Sequence, residues 1–289
     1  MSIKNSKDFY RKNWPLLKKL LQVDKTYCIH HGFYEKGIRT HIHAVLNMND
    51  FIGRLLELDK KENRIKQVLD AGCGIGGTII YLAKKHPAIH FTGITNIPEH
   101  VEIAKKLAKE NFVVSNTDFF SRDFMETGFP SDSFDAVFSI ESVSYAPQKR
   151  VLIREMYRIL KSGRELVVID GFRTSIQLNL FLRNIYIWFC KGWGIPNLIA
   201  IEEFKASLQT EGFDRIIDRD LTKNVIRTLL RGVILSIPYI FSTIIKKIIK
   251  GKKYQIEDDP DFPAAVSILS IIIGIKKGIT YNAVSAIKK

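Results

Sequence analysis

Between residues 67 and 170 the chain alternates short runs of β-branched and aliphatic residues with stretches of helical period, the pattern of βαβ units around a parallel sheet. Gln67–Asp70 predicts a buried strand and Gly77–Lys85 the helix that follows a glycine-rich turn. His90–Thr95 predicts the second strand, and Pro98–Lys109 a helix that opens on Pro98 and Glu99, residue types suited to a first turn. Phe112–Ser115 predicts the third strand, Phe134–Ile140 the fourth, Lys149–Leu160 a helix and Glu165–Asp170 the fifth strand. Every connection is short, which favours one doubly wound domain over two. After Asp170 the alternation lapses into an apolar, aromatic stretch at Ile176–Cys190. A helix at Ile201–Gln209, a sixth strand at Phe213–Asp218, a basic apolar stretch at Leu221–Lys250 and a seventh strand at Ile279–Ile287 follow. The expected architecture is α/β: a mostly parallel seven-stranded sheet over residues 61–289, with cap insertions near 171–200 and 221–275 and a helical arm, 1–60, covering the site.

The 289 residues carry 44 Lys+Arg against 30 Asp+Glu, a net charge of +14. Its location matters more than its size. Residues 1–25 hold seven basic and two acidic side chains, residues 222–289 twelve and four, and the sheet region between them is nearly neutral. The basic ends interleave with aliphatic rather than stacking aromatic residues, which argues against a nucleic-acid partner. Cys28, Cys73 and Cys190 are odd in number and widely spaced, which points to a reducing compartment, the cytoplasm by default, rather than to a disulfide framework. Lysines and an arginine break up the first twenty residues, so no secretory signal is expected there. Two apolar runs, Gly232–Ile245 and Phe262–Ile275, fall short of the roughly 20 residues that span a bilayer. They are expected to be core or lid helices, the alternative being a membrane interface with flanking lysines on anionic head groups.

The main chemical signal is Val68-Leu69-Asp70-Ala71-Gly72-Cys73-Gly74-Ile75-Gly76-Gly77, a strand feeding a glycine-rich turn and then a helix, where backbone can approach a ligand closely. Gly72, Gly74 and Gly77 satisfy the dinucleotide fingerprint, so a nicotinamide or flavin oxidoreductase is a competing reading. Two details oppose it. Asp70 precedes the first glycine by two residues, where a carboxylate suits an ammonium and not a pyrophosphate. The next strand ends Gly93-Ile94-Thr95-Asn96, without the carboxylate that a dinucleotide ribose wants. Four histidines, His30, His31, His41 and His43, raise the question of a metal, but His41-x-His43 has no nearby Cys or acidic partner, and no metal is expected.

With these residues in hand, the turn resembles motif I of the class I S-adenosylmethionine-dependent methyltransferases, and further stretches resemble their tocopherol and sterol methyltransferase group. Ile29-His30-His31-Gly32-Phe33-Tyr34-Glu35-Lys36-Gly37 is similar to that group's "HHGFYDPG" entrance, and Gly93–Glu99 to its "GITLSP" stretch. Phe129–Val137 is similar to "FPDxSFDxV", and Leu160–Arg164 to "LKPGG" with Ser162 and Arg164 substituted. The resemblance implies a Rossmann-like doubly wound sheet and S-adenosyl-L-methionine as cofactor. It assigns Asp70 to the amino-acid ammonium, Gly72, Gly74 and Gly76 to the turn that approaches the cofactor, Thr95 and Asn96 to the ribose hydroxyls, and His100 to the ribose or adenosine. Asp123 and Phe124 inherit the adenine, and Ile140 completes the cofactor set. Asp135 and Glu155 are expected to be structural.

Relatives commonly read "ES-x-EH" after strand four. Here Glu141-Ser142-Val143-Ser144-Tyr145 places Ser144 and Tyr145 where the acid and histidine stand. The candidate catalytic residues are therefore Glu141, Tyr145, His31 and Tyr34, with His30 a further possible base and Phe33 a further aromatic face for a cationic acceptor. Leu180, Phe181, Ile185, Trp188 and Phe189 give the cap a broad apolar set, which points to a hydrophobic small-molecule acceptor.

Overall fold

The computed structural model describes residues 4–60, 64–174, 178–251 and 278–289. Seven strands, β1 (Gln67–Ala71), β2 (His90–Thr95), β3 (Thr117–Ser121), β4 (Phe134–Ile140), β5 (Leu160–Arg173), β6 (Phe213–Asp220) and β7 (Ile279–Lys288), form one sheet in the order β3-β2-β1-β4-β5-β7-β6. The first five in that order run parallel, and β7 inserts antiparallel between β5 and β6. Strand order reverses between β1 and β4. This opens a crevice beyond their carboxyl ends, where ligands bind in doubly wound sheets. Val68, Val137 and Phe138 are almost fully buried, as expected of central parallel strands covered on both faces.

Helices α1 (Lys4–Leu21), α2 (Val23–Thr26) and α3 (His41–Leu55) precede the sheet, and α4 (Gly77–Lys85), α5 (Pro98–Glu110) and α6 (Lys149–Ile159) are its crossovers. One core packs Met48 and Ile52 of α3 and Ile79 of α4 against Phe91 and Phe138. The other packs α6 and α8 (Ile201–Glu211) through Leu152, Met156 and Phe204 against Val137 and Phe172. The cap consists of α7 (Leu180–Trp193) and α9 (Thr222–Lys250). The Asn179 side chain caps α7 by accepting from Leu182 N at 2.9 Å, and Gly194 closes it in the left-handed conformation. Asp135 and Glu155 have the structural roles expected of them. Asp135 accepts from Lys66 N, Gln67 N and Lys161, and Glu155 from Thr127 and Arg158.

Two expectations change. The third strand is Thr117–Ser121, paired with Phe91–Thr95, not Phe112–Ser115. Phe112 has φ 60° and is exposed, and Val114–Asn116 is a 3-10 turn. Asn116 fixes this turn by donating to Ala83 O and Ile89 O, so the apolar FVV run turns the chain after α5 instead of joining the sheet. The run at Gly232–Ile245 is the middle of a 29-residue helix, α9, which is long and apolar enough to cross a membrane by length and composition alone. The helix is longer than the run between charges because Arg227, Arg231 and Lys246 continue it instead of ending it. The second run, Phe262–Ile275, lies outside the described residues.

Candidate active site

The crevice at the carboxyl ends of β1, β2 and β4 opens into a cavity. Asp70, Gly72, Gly74, Thr95, Asn96, His100, Phe124 and Ile140 all line it. Asp70 is the penultimate residue of β1, which is buried from Val68 onward; it is only 1% exposed, and its Oδ1 has no hydrogen-bond partner among the described residues. Burial pushes its pKa up to about 8, with His30 pulling the other way. A buried carboxylate of this kind calls for a cationic or N–H donor from a ligand. Gly72 and Gly74 have φ 114° and 53°, and a Cβ on Gly72 would stand 2.2 Å from Ser142 Oγ. Only glycine keeps that path open. His100 is buried with Nδ1 unpartnered, and burial lowers its pKa to about 4, so it presents a neutral ring. The rings of Tyr10 and Trp14 on α1 cover it at 5.5 and 5.2 Å, and Arg11 ties α1 to Glu99.

Two expected cofactor residues do other work. Gly76 caps α4 at φ 83°, and a Cβ there would meet the Phe119 ring at 2.7 Å, so its glycine serves packing between α4 and β3. Asp123 does not line the cavity, and its Oδ1 accepts from Met125 N at 2.8 Å, bracing the turn that carries Phe124. The next glycine, Gly77, is required by the chain crossing it. A Cβ there would lie 2.1 Å from Tyr27 O, so the entrance segment passes directly over the start of α4 and brings Tyr27, Cys28 and Ile29 into the cavity wall.

A second cavity adjoins the first, and Tyr10, Ile29, Glu141 and Tyr145 line both. Its wall is mainly apolar, with Leu17 and Leu21 from α1, Phe189 and Trp193 from α7, and Val225 and Leu229 from α9. Glu141 stands at the junction. His31 N and His31 Nδ1 each lie 2.7 Å from its Oε1, and the Tyr281 hydroxyl donates to the same oxygen at 2.6 Å, leaving Oε2 outside this network. Burial opposes charge on both His31 and Glu141, but their attraction outweighs it. The Glu141 pKa is lowered and the His31 pKa raised, so each favours the charged form of the other.

Tyr145 also faces both cavities, 5.9 Å from Tyr10 ring to ring, and donates to Trp193 O at 3.1 Å. Burial holds its phenol far above the usual value, so it is a donor and an aromatic wall, not a base. Tyr34 lines neither cavity. Its ring lies under the Arg227 guanidinium at 4.5 Å, and its backbone pairs with Asn224, fastening the entrance segment to α9. Phe33 is core, stacked on Phe51 at 4.4 Å. His30 lines the first cavity and pairs with Asn49 Oδ1 at 3.0 Å. Of the apolar cap residues, Phe189 lines the second cavity, Ile185 is buried, and Leu180, Phe181 and Trp188 face outward.

The sequence reading missed Tyr10, Asp170 and Tyr281. Asp170 ends the buried part of β5 in the apolar cavity, accepting from Ser144 N and Gly171 N, and burial raises its pKa to about 6. A signal for Asp170 lies in the sequence: it ends the predicted strand Glu165–Asp170, as Glu141 follows the predicted strand Phe134–Ile140. Nothing local marks Tyr10 or Tyr281.

Comparison with known proteins agrees with this geometry. A methyltransferase-domain family model matches residues 68–163, from β1 to the turn early in β5. The chain is similar to a sterol 24-C-methyltransferase of Neurospora crassa, 31% identical over 196 residues, 67% of this chain and 50% of that protein. It is 28% identical over 210 residues to the tocopherol O-methyltransferase of Arabidopsis thaliana, covering 68% of this chain and 60% of that one. The chain thus spans 50 to 60% of the length of these two relatives. The crystal structure of the [4+2]-cyclase SpnF matches 98% of this chain and 94% of its own with a TM-score of 0.75 at 22% identity, a likeness of fold. Residues 68–163 are a methyltransferase domain, and the seven-stranded sheet built around them is that of the class I S-adenosylmethionine-dependent methyltransferases.

Proposed function

We propose that the protein is an S-adenosylmethionine-dependent methyltransferase acting on a hydrophobic small molecule. The observation that carries the reading is the meeting of two unlike cavities at Tyr10, Ile29, Glu141 and Tyr145. The glycine-lined one ends on an orphaned buried carboxylate, which fits a ligand with an ammonium and a nucleoside. The apolar one is walled by aliphatic and aromatic side chains of α1, α7 and α9, which suit a terpenoid, a prenylated ring or a polycycle. The sterol and tocopherol methyltransferases that the chain resembles support an acceptor of this class.

Bound in the first cavity, the cofactor supplies an electrophilic methyl group on a sulfonium. The chain's own residues bind and align. Asp70 would receive the ammonium, Thr95 and Asn96 would hold the ribose hydroxyls, and His100 and Phe124 would flank the base, all five lining this cavity. Tyr10 and Tyr145 close the junction around the transfer path and keep water from it. Glu141 has one oxygen held by His31 and Tyr281, which fixes the carboxylate's orientation. Its Oε2 takes the proton from an O–H or N–H acceptor, or offsets positive charge that develops on a carbon acceptor.

The test is an assay with methyl-labelled cofactor against sterols, prenylated phenols and polycyclic amines, run beside polar amino acids and a protein extract. Label is expected in the organic-extractable acceptors. Preferred labelling of a polar amino acid or a protein would sink the acceptor assignment.

A further inference from the structure

Helix α9 is amphipathic the wrong way round for a helix packed on a protein. Beyond Val225 at its anchored start, its buried positions are Thr228, Ser236 and Thr243, whereas Leu230, Ile234, Ile237, Phe241, Ile245 and Ile248 are exposed. Those six recur every three or four residues, so they form one stripe along the helix. The exposure is large: Ile234 63%, Phe241 61%, Ile248 74% and Ile249 78%. A contiguous apolar stripe of this length on a protein surface marks an interaction site.

The charges on the helix indicate what covers the stripe. Helix α9 carries Lys223, Arg227 and Arg231 near its start, Lys246, Lys247 and Lys250 near its end, and no acidic residue. Pairing it with its copy, parallel or antiparallel, sets basic end against basic end. An anionic phospholipid surface instead supplies hydrocarbon for the stripe and phosphates for the lysines. The start of the helix is held by the enzyme: Thr228 accepts from Gly32 N at 3.1 Å, and Asn224 pairs with Tyr34. This anchored part contributes Val225 and Leu229 to the apolar cavity. Helix α7 shares the arrangement. Its end walls the cavity with Phe189 and Trp193, while its first residues, Leu180 and Phe181, are 76% and 68% exposed. The basic α1 packs against α9 and contributes Leu17 and Leu21 to the same cavity, so the two charged ends of the sequence meet there.

We propose that the outer stripe of α9 docks the protein on an anionic lipid bilayer, placing the apolar cavity beside the phase that holds its acceptor. The docking rests on the surface alone; only the delivery of an acceptor rests on the function proposed above.

The experiment is flotation of the full chain with vesicles of phosphatidylcholine, alone or mixed with phosphatidylserine, over a range of salt. The wild type is expected to float with the anionic vesicles, less so as salt rises. Lys247→Glu and Lys250→Glu should each lower partitioning by about fivefold or more, and Ile248→Asp with Ile249→Asp should abolish it. Calorimetry with S-adenosylhomocysteine on the same preparations shows that the variants are folded. Failure of every preparation to bind it would refute the cofactor reading and leave the vesicle result standing. The docking proposal is overturned if the wild type floats with neither vesicle or equally with both. It is also overturned if the isoleucine variants float like the wild type, or if light scattering shows a dimer that these variants dissociate.

Discussion

The two cavities of this protein are built by opposite means. The cofactor cavity draws most of its wall from segments next to one another along the sheet: the turn after β1, the end of β2, the turn after β3 and the end of β4. Its polar atoms are few and placed by backbone, as with Asp70 at the end of β1 and the open path at Gly72. The acceptor cavity draws on α1, α7, α9 and β7, segments up to 270 residues apart brought together by the sheet's antiparallel edge. One is a rigid cradle fixed by strand register. The other is a wall of helices whose identity is set by apolar volume. Chemistry belongs where they touch, and the residue with polar groups from both sides is Glu141.

That division is open to attack, first at the junction. Glu141→Gln keeps an oxygen for His31 and Tyr281 but removes the charge. Methyl transfer to an acceptor found in the screen should fall by about 10²–10⁴-fold, with S-adenosylhomocysteine affinity little changed. Equal losses in both would mean that the carboxylate serves cofactor binding alone. Asp70→Ala should do the converse, weakening the cofactor by about 10- to 150-fold through loss of a charge-assisted hydrogen bond. Circular dichroism should show its fold intact.

The His31–Glu141 pair also has a pH signature. The folded pKa of Glu141 is below 4.5, so its contribution to stability is present above 4.5 and is lost as pH falls through the folded value. That of His31 is above 6.5, so its contribution is full below 6.5 and is lost as pH rises through the folded value. The excess in melting temperature of wild type over Glu141→Gln should therefore be largest between 4.5 and 6.5. A difference independent of pH would remove the ion pair from the account. The smallest effect is expected outside both cavities: Tyr34→Leu should leave cofactor affinity within about twofold, as measured by calorimetry.

The same division governs how much could be read from the sequence. Strands β1, β2 and β4 and the helices α4, α5 and α6 are written in local period and turn residues, and they came out within a residue or two. β3 did not, because the FVV run beside it is the more hydrophobic segment and only Asn116 reveals the turn. Asp70, Gly72 and Gly74 were legible because strand, acid and glycine spacing coincide. Gly76 and Gly77 looked the same but answer to Phe119 and Tyr27, contacts from other parts of the chain. Tyr34 sits in the same entrance segment as His31, yet its ring turns to Arg227 while His31 turns to Glu141. Tyr10, near the start of the chain, and Tyr281, near its end, reach the site only through tertiary packing, and no window of sequence holds that information.

The most direct test is calorimetry of S-adenosylhomocysteine binding at pH 7 in buffers of different ionisation enthalpy. Burial holds the Asp70 pKa at about 8 in the free protein, so the carboxyl is mostly protonated at that pH and must ionise to receive an ammonium. Stoichiometric binding with release of close to one proton, the release absent from Asp70→Ala, is the predicted result. Binding of NADH instead, or wild-type affinity and proton release in Asp70→Ala, would contradict it.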